Sequence, residues 1–102
     1  MKIQKIADPQ PERIQLLHPD PQKKGVNIER RKFEQMHAAI QQLLNEREMI
    51  GFTEAMTEIE NRLAGKFEGK IGWYYVSVKL HMEAIGELIR MPGSGKQMMR
   101  KG

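Results

Sequence analysis

The sequence predicts a small, mainly α domain of the α+β class, with three helices followed by a C-terminal β-hairpin. Three observations carry that prediction. Apolar residues recur at helical spacing in two segments upstream of residue 64. A third helical segment, Gly72 to Gly86, is rich in apolar residues along its whole length. It leads directly into two short strand-like runs, Glu87–Met91 and Gln97–Arg100, joined by Pro92-Gly93-Ser94-Gly95-Lys96, whose glycines suit a tight reversal. At 102 residues, 39% of them hydrophobic, the chain can enclose one core and has no room for a second.

Residues 1–27 read as an N-terminal arm, partly extended and packed, and 28–102 as the domain proper. The arm holds Pro9, Pro11, Pro19 and Pro21 and the charged turn Gln22-Lys23-Lys24-Gly25, which disfavour regular helix. Within it, Arg13-Ile14-Gln15-Leu16-Leu17 is apolar enough to dock as a short strand or clip, and the chain is expected to fray before about residue 12.

The first helix is expected from Glu29 to Arg47, capped by Asn27, with Phe33, Met36, Ile40, Leu43 and Leu44 on its buried face. Met49 to Phe52 read as a turn. Thr53 then caps a second helix from Glu54 to Leu63, whose buried stripe is Ala55, Met56, Ile59 and Leu63. Gly65 and Gly69 suit a helix stop and a turn, with Phe67 and Ile71 plugging the core. At about 100° per residue, Trp73, Val76, Leu80 and Ala84 form the expected core face of the third helix, which Gly86 ends. Tyr74, Val78, Met82 and Ile85 make a second apolar stripe, covered within the monomer or by a partner, and are the candidate interface residues.

Helix, helix, helix, hairpin is the element order of a winged helix-turn-helix, whose third helix is the one that reads DNA. On that helix Ser77, Lys79 and His81 point away from the predicted core face. The segment Leu88–Gly102 adds Arg90, Lys96, Arg100 and Lys101 with no acidic residue, so it alone accounts for the net charge of +4. These seven residues are the candidate nucleic-acid contacts. The helix offers no Arg, Asn or Gln for a bidentate base contact, and the second helix is acidic through Glu54, Glu58 and Glu60, so grip on phosphate is expected to outweigh base reading. Four phosphate contacts would give log K against log salt a slope of about −3.6. The alternative is a protein-interaction or dimerisation module that does not bind DNA.

Catalysis is not expected, and neither is a cofactor or metal. The chain has no cysteine, which removes disulfides, thiolate chemistry and Cys-based zinc sites. His18, His37 and His81 sit on separate elements at no metal-ligand spacing. Gly93-Ser94-Gly95-Lys96 lacks the P-loop pattern, with Arg90 where its first Gly belongs and Gln97 where its Ser or Thr belongs. No apolar run approaches the roughly 18 residues of a membrane span, and the N-terminus lacks a signal-peptide block. The expectation is a cytoplasmic protein without membrane contact.

The run Gly72-Trp73-Tyr74, Val78-Lys79-Leu80, Glu83-Ala84, Gly86-Glu87-Leu88-Ile89 and Pro92-Gly93-Ser94 resembles that of a group of small, uncharacterised bacterial proteins with a winged-helix-like fold. The resemblance extends upstream through Ile14–Pro19 and Lys32-Phe33-Glu34. It implies the winged-helix superfamily, and with it double-stranded DNA as the default partner.

Overall fold

A computed structural model describes residues 12–92 and 95–102. Pro9, Pro11, the stretch expected to fray and the turn residues Gly93 and Ser94 lie outside the described residues. The elements are β1 (Arg13–Gln15), β2 (Asn27–Glu29), α1 (Arg30–Glu46), β3 (Ile50–Gly51), α2 (Phe52–Leu63), α3 (Ile71–Ala84), β4 (Leu88–Met91) and β5 (Met98–Lys101). The α+β class is as the sequence predicts: three helices and two small antiparallel sheets, one of β1-β2 and one ordered β3-β5-β4.

The helical periodicity of the first two helices is realised. Phe33, Met36, Ala39, Ile40, Leu43 and Leu44 of α1 are buried, as are Ala55, Ile59 and Leu63 of α2, while Met56 is half-buried. The expected caps are not. Asn27 is drawn into β2, where its Oδ1 accepts a 2.6 Å bond from Arg13 Nε, and Glu29 stands at the α1 N-cap without a side-chain bond. α2 begins at Phe52 with Gly51 at its N-cap, which places Thr53 inside the helix. The segment read as a turn contains β3, which pairs Ile50 with Met99 and Gly51 with Met98. Two residues of strand leave no periodicity to read.

Gly86, at φ 83°, closes α3. Its amide bonds the carbonyl of Glu83 at 3.2 Å and that of Glu87 bonds Met82 at 2.8 Å, the paired pattern of a Schellman stop. The core gathers the buried faces of α1 and α2 around Tyr75, Val78 and Met82 of α3, with Ile50, Leu88 and Met99 from the three-stranded sheet and Leu16 and Ile28 from the arm. The arm is thus part of the packed structure, and the boundary expected at 27/28 falls inside β2.

The arm folds back at Gly25. A Cβ there would lie 2.3 Å from the Leu16 carbonyl oxygen and 2.9 Å from that of Leu17, both backbone atoms that cannot step aside. The same approach allows the Leu16 amide to bond Val26 O at 2.8 Å. Gly25→Ala is therefore expected to destabilise the protein by about 1–3 kcal/mol, visible as a thermal midpoint several degrees lower in circular dichroism, whereas Gly72→Ala, whose Cβ would meet its neighbours at an ordinary 3.8 Å, should cost less.

Candidate functional site

α3 carries so much apolar surface that hydrophobic spacing alone does not select its inner face. In the folded protein Tyr75, Val78 and Met82 turn inward and are fully buried. Of Trp73, Val76, Leu80 and Ala84, expected to be the core face, only Val76 packs against the core, from its margin; Trp73 is 48% exposed, and Leu80 and Ala84 are half-buried on the outer side. This is the main correction to the sequence reading. The reason is polar. Tyr75 reaches through the core to donate its hydroxyl to Phe52 O at 3.0 Å, and Lys79 on the same side donates to Gln97 Oε1 at 2.6 Å while pairing with Glu83 one turn on.

The proposed DNA-reading residues of α3 are therefore not presented together. Lys79 is 3% exposed, its ammonium enclosed by Glu83, Gln97 and, at 5.2 Å, the Phe52 ring. Glu83 Oε2 is buried against that ammonium and makes no other polar contact of hydrogen-bonding geometry. His81 is 8% exposed, edge-on to Phe33, and its Nδ1 accepts the Leu17 amide at 2.9 Å. Ser77 is half-buried on the outer face and returns its hydroxyl to Trp73 O at 3.0 Å. Lys79 and His81 cannot reach a base edge or phosphate from these positions, because each is held by partners within the fold.

The candidate interface stripe is divided as well. Val78 and Met82 belong to the core, and Tyr74 is half-buried against Phe67, with the Lys32 ammonium 5.4 Å from its ring. Ile85, at the α3 C-cap, remains 46% exposed. Leu17, which the sequence reading placed in a packed clip, is 50% exposed on the flank of α3 beside His81. Three of the large exposed hydrophobic residues, Leu17, Trp73 and Ile85, thus lie on or beside this helix, and the stripe between them bears no cation. Sequence reasoning missed this surface; the available signal was the Lys79/Glu83 spacing, which lets the two charges neutralise each other and turn inward.

Arg90, Lys96, Arg100 and Lys101 are all exposed, and none forms an ion pair among the described residues. They do not share one face. Arg90 lies opposite Met99 and Lys101 opposite Leu88, whereas Arg100 lies opposite Ile89 on the other side of the hairpin. Lys101 Nζ bonds Asn45 Oδ1 at 3.0 Å, and Lys96 borders a groove formed with Phe52, Thr53 and Thr57. The acidic second helix is partly neutralised, since Arg47 pairs with Glu54 and Glu58, and Arg62 with Glu58 and, at 2.6 Å, Glu46. The bond from Arg62 holds the Glu46 carboxyl below its ordinary range. No group of three His, Asp or Glu suited to a metal ion occurs among the described residues, and no helix there is long and apolar enough to cross a membrane.

Burial pushes the Tyr75 phenol up, with the Glu83 carboxylate adding to the shift. Burial likewise holds the His81 imidazole below its ordinary 6.5, with His37 opposing protonation and the Glu87 carboxylate, which His37 Nε2 bonds at 2.7 Å, favouring it. Nδ1 must be unprotonated to accept the Leu17 amide. The native state thus binds fewer protons at His81 than the unfolded chain does. Its contribution to stability is complete above pH 6.5 and declines as the pH falls through that value toward the lowered folded one. Thermal melts from pH 8 to pH 5 are expected to show falling stability, and His81→Asn, which keeps an acceptor but does not titrate, should flatten that dependence.

No curated protein and no solved structure matches the chain. A model of the Family of unknown function (DUF6958) matches residues 13–98. That span starts with β1 and ends at the first residue of β5, so it takes in the arm, all three helices and the root of the hairpin. The chain belongs to the DUF6958 family.

Proposed function

We propose that the protein is a winged-helix-type interaction module that engages a protein partner through the outer face of α3. The order α1-β3-α2-α3-β4-β5, with β5 central in its sheet, supports the winged-helix reading, the β4-β5 hairpin being the wing. The observation that carries the functional reading is the outward turn of Trp73, Leu80 and Ala84 on the helix that a DNA reader would lay in the groove. An apolar helix face without a cation suits the surface of another protein and opposes a phosphate backbone. The cysteine-free sequence fits a reducing compartment, the cytoplasm.

A benzophenone amino acid at position 73, which keeps aromatic bulk, is expected to give a photo-adduct in cells expressing the protein, and the same probe at Thr57 none. Absence of an adduct at 73 in the folded protein would count against the interaction reading.

Exposure of Arg90, Lys96, Arg100 and Lys101 favours a second reading, a phosphate grip by the wing with little base contact. Because Arg100 faces away from Arg90 and Lys101, three of the four at most act together, and the expected salt slope falls to about −2.7. Fluorescence anisotropy of labelled random duplex DNA at two salt concentrations measures it. A salt-insensitive signal or none removes this reading.

A further inference from the structure

We propose that the partner is a second copy of this chain, with α3 packed antiparallel against the partner's α3 across a two-fold axis near Ser77 and Leu80. The inference rests on the interaction reading above and names its occupant. The outer face of α3 is asymmetric in a way that an antiparallel copy completes. Its N-terminal end carries one large exposed residue, Trp73, and its C-terminal end carries the small Ala84, with the exposed Ile85 next at the C-cap and the exposed Leu17 held beside His81. An axis halfway along the stripe sets Trp73 against the partner's Ala84 and Ser77 against the partner's Leu80, each pair being equidistant from the midpoint. The indole then covers the partner's Leu17 and Ile85, so the exposed apolar residues of one end are buried by those of the other.

Charge follows the same symmetry. Lys70, exposed at the N-cap of α3, falls opposite the partner's Glu87, just past the C-terminal end. Glu87 uses Oε1 to bond His37 and retains a partly exposed carboxylate for a second cation. Antiparallel helices also oppose their dipoles favourably. A parallel arrangement would set Lys70 against Lys70 and leave Ala84 facing Ala84. A standard interface buries ~800 Å² per partner, so Leu17 and Ile85 are counted with the helix stripe, and the association is expected to be reversible.

Sedimentation equilibrium of the full chain is the test, with Leu80→Lys, Lys70→Glu and a Ser77→Cys variant that carries the only thiol. The wild type is expected to be a dimer at high micromolar concentration. Leu80→Lys should be monomeric with an unchanged thermal midpoint, Lys70→Glu should dissociate at least tenfold more readily at low salt, and a short bis-maleimide should link Ser77→Cys into dimers. A wild type that stays monomeric, or a dimer indifferent to Leu80→Lys and Lys70→Glu, overturns the proposal. The photo-adduct at 73 separates the two readings: an adduct of twice the 11.8 kDa chain supports self-pairing, while a heterologous adduct with a monomeric protein overturns it and leaves the interaction reading standing.

Discussion

The buried pair of Lys79 and Glu83 is the constraint on which the rest of the structure turns. Two charges withdrawn from water tolerate burial only when each satisfies the other, and removing one partner of such a pair costs about 3–5 kcal/mol. Here the ammonium has the Glu83 carboxylate, the Gln97 side chain and the face of Phe52. Gln97 in turn accepts the Phe52 amide on its backbone carbonyl at 2.8 Å. One side chain of α3 is thereby tied to the start of α2 and to the root of β5. With Lys79 and Tyr75 both directed inward, the helix has a single rotational setting, and Trp73 and Leu80 must face solvent.

That constraint also explains what could and could not be read from the sequence. Phe33, Met36, Ile40, Leu43 and Leu44 were legible because α1 alternates apolar and polar residues at helical spacing, and burial follows it. α3 does not alternate: apolar residues surround it, and the charged residues that would ordinarily mark solvent, Lys79 and Glu83, lie inside. The Trp73 stripe and the Val78 stripe are equivalent by hydrophobicity, and only long-range partners, Gln97 for Lys79 and the Phe52 carbonyl for Tyr75, distinguish them. The DNA contacts Lys79 and His81 were misplaced together, and the choice left open for Val78 and Met82 falls to cover within the monomer, because one rotation of the helix places all four. The hairpin was legible from Gly86 and the glycine-bearing turn, whereas β3 had too few residues to announce itself.

The arm shows a second kind of long-range dependence. Its strands are three residues each and would not persist alone. They are held by Leu16 and Ile28 in the core and by one bond from the Leu17 amide to the His81 ring. That bond requires a neutral imidazole, so the attachment of the arm to α3 is linked to the protonation of a ring that itself packs against Phe33 of α1. The three elements meet at one titratable group, and Leu17 is left half-exposed beside it because its amide, not its side chain, makes the connection.

The two-residue strand β3 has an effect out of proportion to its length. By pairing with β5 through Ile50 and Gly51, it converts the β4-β5 ribbon into a three-stranded sheet with β5 at its centre. The margins that remain are β3, two residues long, and β4, four residues long and carrying Arg90. A short outer strand bearing a cation is a poor template for another strand, so strand-on-strand polymerisation of the hairpin is disfavoured. Margins this short give the sheet little length on which a fibril could grow, even where the protein is concentrated.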